Sequence, residues 1–177
     1  MVLKMFEQFK KFVGMNEINC NSPKEFLASV EGKSFLNGMY RVFASSETEK
    51  WREIVEEAFP AYKNQIVVFA FDWLGRVFAL SRQKGTVLLF EPGTGEVLDI
   101  PANIVDFHDV EIAEYHEDSL ASEFFGEWYE ANKHYVLKHN ECAGYRVPLF
   151  LNGDDNIENL EVSDMEVYWG IMSQLIS

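Results

Sequence analysis

The sequence predicts an α+β fold: an antiparallel β-sheet meander flanked by N-terminal and C-terminal helices. Three observations carry that expectation. Apolar residues recur at helical spacing before residue 60 and again after residue 117. Between those regions lie four short β-type runs separated by turn residues. The chain has 177 residues, of which 47% are hydrophobic, 15% aromatic and 25% charged. That is enough material for one self-sufficient core, and the composition excludes disordered, collagenous and coiled-coil chains.

Val2, Met5, Phe6, Phe9, Phe12 and Val13 share one helical stripe, which Gly14 ends. Ser22-Pro23-Lys24-Glu25 opens a second helix, with Ser22 as cap, Pro23 at a position that needs no N–H, and Glu25 three residues on; it runs to near Gly32. Residues 39–43 form a short strand. Ser46-Glu47-Thr48-Glu49 reads as a further capping box, opening a helix with Trp51, Ile54, Val55 and Ala58 on one side. Residues 66–71 and 77–80 pair across Asp72-Trp73-Leu74-Gly75-Arg76, and 87–90 with 97–100 across Glu91-Pro92-Gly93-Thr94-Gly95. Leu120, Phe124, Phe125 and Trp128 mark a helix over 117–131. Residues 145–151 are strand-like, with Pro148 forcing an edge or a bulge. Ser163 caps a last helix reaching about residue 176, whose apolar side holds Met165, Tyr168, Trp169, Met172 and Ile176. There is no internal repeat and no linker. A division near residue 85 or 100 is permitted but not forced.

The charge is lopsided. Fifteen Lys and Arg stand against 29 Asp and Glu, a net charge of −14. Nearly all of the excess lies after residue 60. Between Gly85 and Asn132 there are 12 carboxylates and no Lys or Arg, and none follows Arg146 either. Such a field repels phosphate backbones and anionic lipid, so direct nucleic-acid or membrane binding is disfavoured. It is read either as a solubility surface or as a face that meets a basic partner. Two cysteines far apart, Cys20 and Cys142, fit a reducing cytosol rather than a disulfide framework. The charged start lacks a signal-peptide core, and no apolar run approaches membrane length. The expected compartment is the cytoplasm.

No catalytic set, cofactor motif or established metal pattern emerges. His108-Asp109-x-Glu111 with His116-Glu117-Asp118 is the densest group of potential metal ligands, but its spacing fits solvated acidic loops better. Residues 152–158 resemble a calcium loop only faintly. Cys142 and His139 are close in sequence without any implied geometry. Aromatic residues among acids are more suggestive: Trp73 at a hairpin tip, and Tyr115, Trp128 and Tyr129 in the acid-only stretch. Trp73 either anchors a partner or folds back onto the sheet, with Asp72 and Arg76 then forming a local ion pair.

Two blocks of sequence are more specific. The first is Phe69-Ala70-Phe71-Asp72-Trp73-Leu74-Gly75-Arg76, then Leu88-Leu89-Phe90-Glu91-Pro92-Gly93-Thr94-Gly95-Glu96 and Ile100-Pro101. The second is Gly144-Tyr145-x-Val147-Pro148-Leu149-Phe150-Leu151, Asn159-Leu160-Glu161 and Asp164-Met165-x-Val167-Tyr168-Trp169. Together they resemble the family of type VI secretion immunity proteins against DNase effectors. The resemblance implies a GAD-like region over 1–100 and the family's short C-terminal domain over 101–177, in one compact unit. It also implies a non-enzymatic protein that binds and neutralises a cognate antibacterial toxin, plausibly a basic nuclease. Taken with the charge, it directs attention to Asp106, Asp109, Glu111, Glu114, Glu117 and Asp118, with Trp73 as an anchor. The alternatives are a general interaction or operon-regulatory protein, and a metal-dependent hydrolase using His108, Asp109, Glu111 and His116.

Overall fold

The computed structural model describes residues 4–16 and 19–176. Val2, assigned to the first helical stripe, lies outside them. Six strands form one antiparallel sheet in strict chain order: β1 (Ser34–Phe35), β2 (Tyr40–Val42), β3 (Ile66–Asp72), β4 (Val77–Ser81), β5 (Val87–Glu91) and β6 (Glu96–Ile100). The helices are α1 (Glu7–Val13), α2 (Pro23–Val30), α3 (Thr48–Ala58), α4 (Ile104–Asp106), α5 (His116–Leu120), α6 (Ser122–Ala131) and α7 (Met165–Ile176). A separate pair, β7 (Glu141–Tyr145) and β8 (Leu160–Asp164), leads into α7. The α+β meander with helices at both ends is therefore as the sequence predicts.

Helices cover both sides of the sheet. Tyr40, Val42, Ala70, Phe78 and Leu89 pack with Phe9, Phe26, Phe107, Ile112, Phe125 and Trp128. Phe71, Val77, Ala79, Leu88 and Phe90 pack with Trp51, Val55, Met165, Trp169 and Met172. Two covered faces explain why 66–71 and 87–90 read as unbroken apolar runs rather than alternating ones. Each large side chain taken fully out of water contributes about 2 kcal/mol. Both cores draw on residues from before and after residue 100. In β3, Val68 pairs with Ala79 and Ala70 with Phe78, so Phe69 is an extra residue in the ladder. This bulge puts Phe69 and Ala70 on the same side, with Val68 and Phe71 on the other.

Local chemistry fixes the boundaries. Gly14, at φ 75°, ends α1. The Ser22 hydroxyl accepts from the Glu25 N–H at 3.2 Å, and the Glu25 carboxylate accepts from the Asn21 N–H at 2.8 Å. Gly75 and Gly95 supply positive φ in the two hairpin turns.

Elsewhere the structure departs from the sequence reading. Ser46 caps nothing: α3 starts after a helical Glu47, whose carboxylate accepts from the Ala44 N–H. The helix expected over 117–131 is two helices, because Ala121 at φ 50° breaks it. The strand expected over 145–151 ends at Tyr145, and Pro148, which cannot donate to a ladder, is followed by a 3-10 turn. Ser163 belongs to β8, and Asp164 caps α7 instead, accepting from the Glu166 and Val167 N–H groups at 3.0 and 3.1 Å. The supposed acidic loop after Asn103 is helical. The Asn103 side chain accepts from Val105 and Asp106 N–H, and α4 runs on as a π-helical segment, Phe107–Ile112.

Candidate partner-binding surface

Residues 104–130 are amphipathic. Phe107, Ile112, Leu120, Phe125 and Trp128 are buried against the sheet, and the other side carries acids. Asp106, Glu114, Glu117 and Asp118 are exposed, and Asp109 and Glu111 are half-buried. Two of the six also hold the fold. Asp109 accepts from the Phe9 N–H at 2.9 Å, tying α1 to the π-helical segment. Glu117 accepts from the Glu123 N–H at 2.7 Å and the Ser122 hydroxyl at 3.0 Å, next to the start of α6. Asp106 accepts from the Asn103 amide at 3.0 Å. Among the described residues, none of the six has a Lys or Arg partner. Tyr115, between Glu114 and Glu117 in the chain, is 53% exposed.

Trp73 requires a correction. It does not project from the hairpin tip but is fully buried. Its indole N–H donates to the Leu120 carbonyl at 2.8 Å, and its ring lies against Phe124, Phe125 and Trp128. Its backbone N–H donates to Met39 O, and its carbonyl accepts from the Ala143 N–H. A side chain of this area gains more by filling the space beneath α5 and α6 than by standing in water. The exposed aromatic of the acidic stretch is Tyr115.

The turn carrying Trp73 is locked by a buried charge cluster. The Asp72 carboxylate accepts from the Leu74 and Arg76 N–H groups at 3.0 Å each and from Arg76 Nε at 2.7 Å. Arg76 also donates to Glu91 Oε1 at 2.8 Å and to the Ser119 carbonyl at 3.1 Å. One guanidinium thus joins the β3–β4 turn, the end of β5 and α5. Burial pushes the Asp72 carboxyl up, and the adjacent Arg76 works against that shift. Arg76 lines a cleft of about 190 Å³ with Leu74, Thr94, Phe124, Tyr145 and Tyr168.

Sequence reasoning missed Arg41, an arginine amid the apolar residues of β2. It is buried with its guanidinium 4.4 Å from the Phe71 ring centre. It donates to the carbonyls of Asp72 at 2.9 Å, Lys138 at 2.7 Å and Glu141. Desolvation lowers its pKa to about 10. These bonds attach the 138–141 backbone, and with it β7, to the main sheet.

The chain after β6 is thus an acidic helical layer clamped to the sheet, then β7, β8 and α7. Residues 107–176 match the family described as T6SS immunity protein Tdi1, C-terminal. The resemblance to type VI secretion immunity proteins is shown over this segment. The comparison with curated proteins gives no match. The crystal structure of Atu4351 from Agrobacterium tumefaciens is similar with a TM-score of 0.69 and 16% identity, covering 96% of this chain and 89% of that one. At that identity the likeness is one of fold.

Within the Tdi1-type segment, the residues of the hydrolase alternative do not assemble. His108 is buried among Phe6, Phe9, Phe26 and Phe107. Its Nδ1 lies 2.7 Å from the Ile104 carbonyl, which can only accept, so the proton sits there and Nε2 accepts from the Tyr40 hydroxyl at 2.8 Å. Both ring nitrogens are engaged, and burial lowers the pKa to about 4. His116 instead stacks on Phe12 and bonds to Ser122. Among the described residues, no three His, Cys, Asp or Glu side chains gather as a metal site. Cys142 is buried and its thiol is pushed up by desolvation, while His139 faces Glu47 at 2.9 Å rather than the thiol. The 152–158 loop is held by Asn159, whose amide donates to the Val147 and Asp154 carbonyls. No helix among the described residues is long and apolar enough to cross a membrane.

Proposed function

We propose that this chain is a non-enzymatic immunity protein that binds and neutralises a cognate type VI secretion toxin through the acidic side of residues 106–118. The observation that carries the reading is a coincidence of place. The start of the segment that matches the immunity family is also where, among the described residues, Asp109, Glu111, Glu114, Glu117 and Asp118 stand without a Lys or Arg partner. A toxin that cuts DNA needs a basic cleft. Carboxylates of an inhibitor can stand where phosphates would sit, speeding encounter and fixing register. Asp106, Glu111, Glu114 and Asp118, whose carboxylates tie no other helix in place, steer the approach, and the exposed Tyr115 serves as the anchor. Residues 1–100, the GAD-like region, supply the sheet on which this layer is mounted. Inhibition occurs in the cytoplasm, where the DNA of the producing cell lies.

The test is co-expression with the toxin encoded beside the gene. Cells making the toxin alone should lose DNA integrity and viability, and cells making both should keep them, with the two proteins co-purifying. A neighbouring toxin that is neither bound nor neutralised overturns the proposal.

A further inference from the structure

The cleft beside Arg76 is assembled from four separate stretches of chain. The β3–β4 turn supplies Arg76, the end of β5 supplies Glu91, the first turn of α6 supplies Phe124, and the chain from β7 onward supplies Tyr145, Asp155 and Tyr168. Its two tyrosine rings are seated on bare backbone. A Cβ on Gly93 would lie 2.6 Å from the Tyr145 ring, and one on Gly144 would lie 2.7 Å from the Tyr168 ring. The absence of those Cβ atoms lets both rings lie close to the chain, fixed before anything binds. The Tyr145 hydroxyl donates to the Asp155 carboxylate at 2.6 Å and so orients an exposed acid at the cleft. The Leu149 N–H donates to the Gly93 carbonyl at 2.9 Å, which holds an apolar wall in place opposite Leu74.

Charge, rings and size select the occupant. Arg76 is the one cation among the described lining residues, and Asp72 and Glu91 already take up its charge. Asp155 has no Lys or Arg partner among the described residues. Aromatic rings beside a free carboxylate favour a cationic head over an anionic or neutral one. Apolar walls suit the aliphatic stem that lysine and arginine carry behind the charge. The volume of about 190 Å³ is below the roughly 300–1,000 Å³ of sites for whole small molecules, and it suits a single side chain. The cleft also adjoins the acidic surface. Ala121 lines it, and the next two residues hold Glu117, through the Ser122 hydroxyl and the Glu123 N–H.

We propose that this cleft receives one lysine or arginine side chain of the toxin, its stem along Leu74 and Leu149 and its charged head against the aromatic rings and Asp155. This rests on the immunity reading above, and it adds a seated contact to the steering by the 106–118 acids. The test compares Phe124→Leu, Asp155→Asn and Asp155→Lys with the unaltered chain, using a nuclease-inactive form of the adjacent toxin as the probe and surface plasmon resonance for the rates. Phe124→Leu removes a ring without changing charge and should raise the off-rate roughly threefold or more. Asp155→Lys should raise it roughly tenfold or more, with Asp155→Asn in between. Unaltered off-rates in all three variants overturn the proposal and leave the immunity reading intact. A loss confined to the on-rates of the Asp155 variants makes Asp155 a further steering charge and also overturns the proposal. Butylamine that raises the melting temperature of the unaltered chain without competing with the toxin assigns the cleft to a free amine, with the same consequence. An unaltered chain that fails to bind the toxin overturns the immunity reading, and this inference with it. If Phe124→Leu fails to fold, Asp155→Asn carries the decision, because its side chain is exposed.

Discussion

Two groups of carboxylates in this protein differ only in their surroundings. Asp72, shut away from water, and Glu91, largely but not fully buried, lie at the ends of sheet strands with Arg76 between them. Asp106, Glu111, Glu114 and Asp118 lie on the helical layer above, open or half-open to solvent, with no cation opposite. The first group has given up hydration and is worth keeping only while its partner stays. The second keeps its hydration and contributes little to folding, so its charge is free to act on another molecule. Residue type alone does not separate the two roles; burial and the presence of Arg76 do.

The contrast can be broken most severely at Arg76. Arg76→Met leaves Asp72 buried without a counter-charge, leaves the largely buried Glu91 without its cation, and removes the bond to the Ser119 carbonyl. It should cost about 3–5 kcal/mol of stability, measured by urea denaturation. Adding Asp72→Asn and Glu91→Gln should return part of that loss, because neutral amides need no counter-charge. A loss below about 1 kcal/mol for Arg76→Met would mean that the cluster is not a clamp.

A smaller effect comes from His108, which belongs to the acidic segment by sequence and to the core by position. Its ordinary pKa is 6.5, and burial among phenylalanines lowers it to about 4. The unfolded chain therefore takes up the proton first as pH falls. Stability from this group is whole above about pH 6.5 and is lost as pH drops toward 4, by up to roughly 3 kcal/mol. Denaturation curves between pH 4 and 7.5 should show the decline, and His108→Gln should flatten it. An equal decline in the variant would place the acid sensitivity in other groups.

His108 also marks the limit of what the sequence discloses. The meander, the Ser22 cap, the positive φ of Gly75 and Gly95, and the buried side of α7 follow from local spacing and turn chemistry, and all were legible. Trp73, Arg41 and His108 were not, because each is defined by partners 47 to 97 residues away: Leu120, Lys138 and Tyr40. The helix before His116 was hidden for a different reason. Its acids and single histidine look like loop composition, and α4 runs on into a π-helical turn that breaks the 3.6-residue period. For the candidate surface, the acid-only run was plain in the sequence. Which of its members are spoken for was not: Asp109 holds α1, and Glu117 holds the start of α6.

That division selects the last experiment, which has the smallest expected effect on folding. Asp106, Glu111, Glu114 and Asp118 are changed to Lys together, and Asp109 and Glu117 are left alone so that α1 and α6 stay in place. Asp106→Lys should cost up to about 1 kcal/mol, because its carboxylate accepts from the Asn103 cap of α4, and the other three changes should each alter stability by about 0.5 kcal/mol or less, with relief of repulsion to gain. Association with the toxin should slow markedly at low salt, and its dependence on ionic strength should flatten, because the long-range attraction is gone while short-range contacts remain. An unaltered on-rate would make these carboxylates a solubility surface and remove the functional half of the contrast with Asp72 and Glu91. A large loss of stability would remove the other half, by showing that the open acids had been supporting the fold as well.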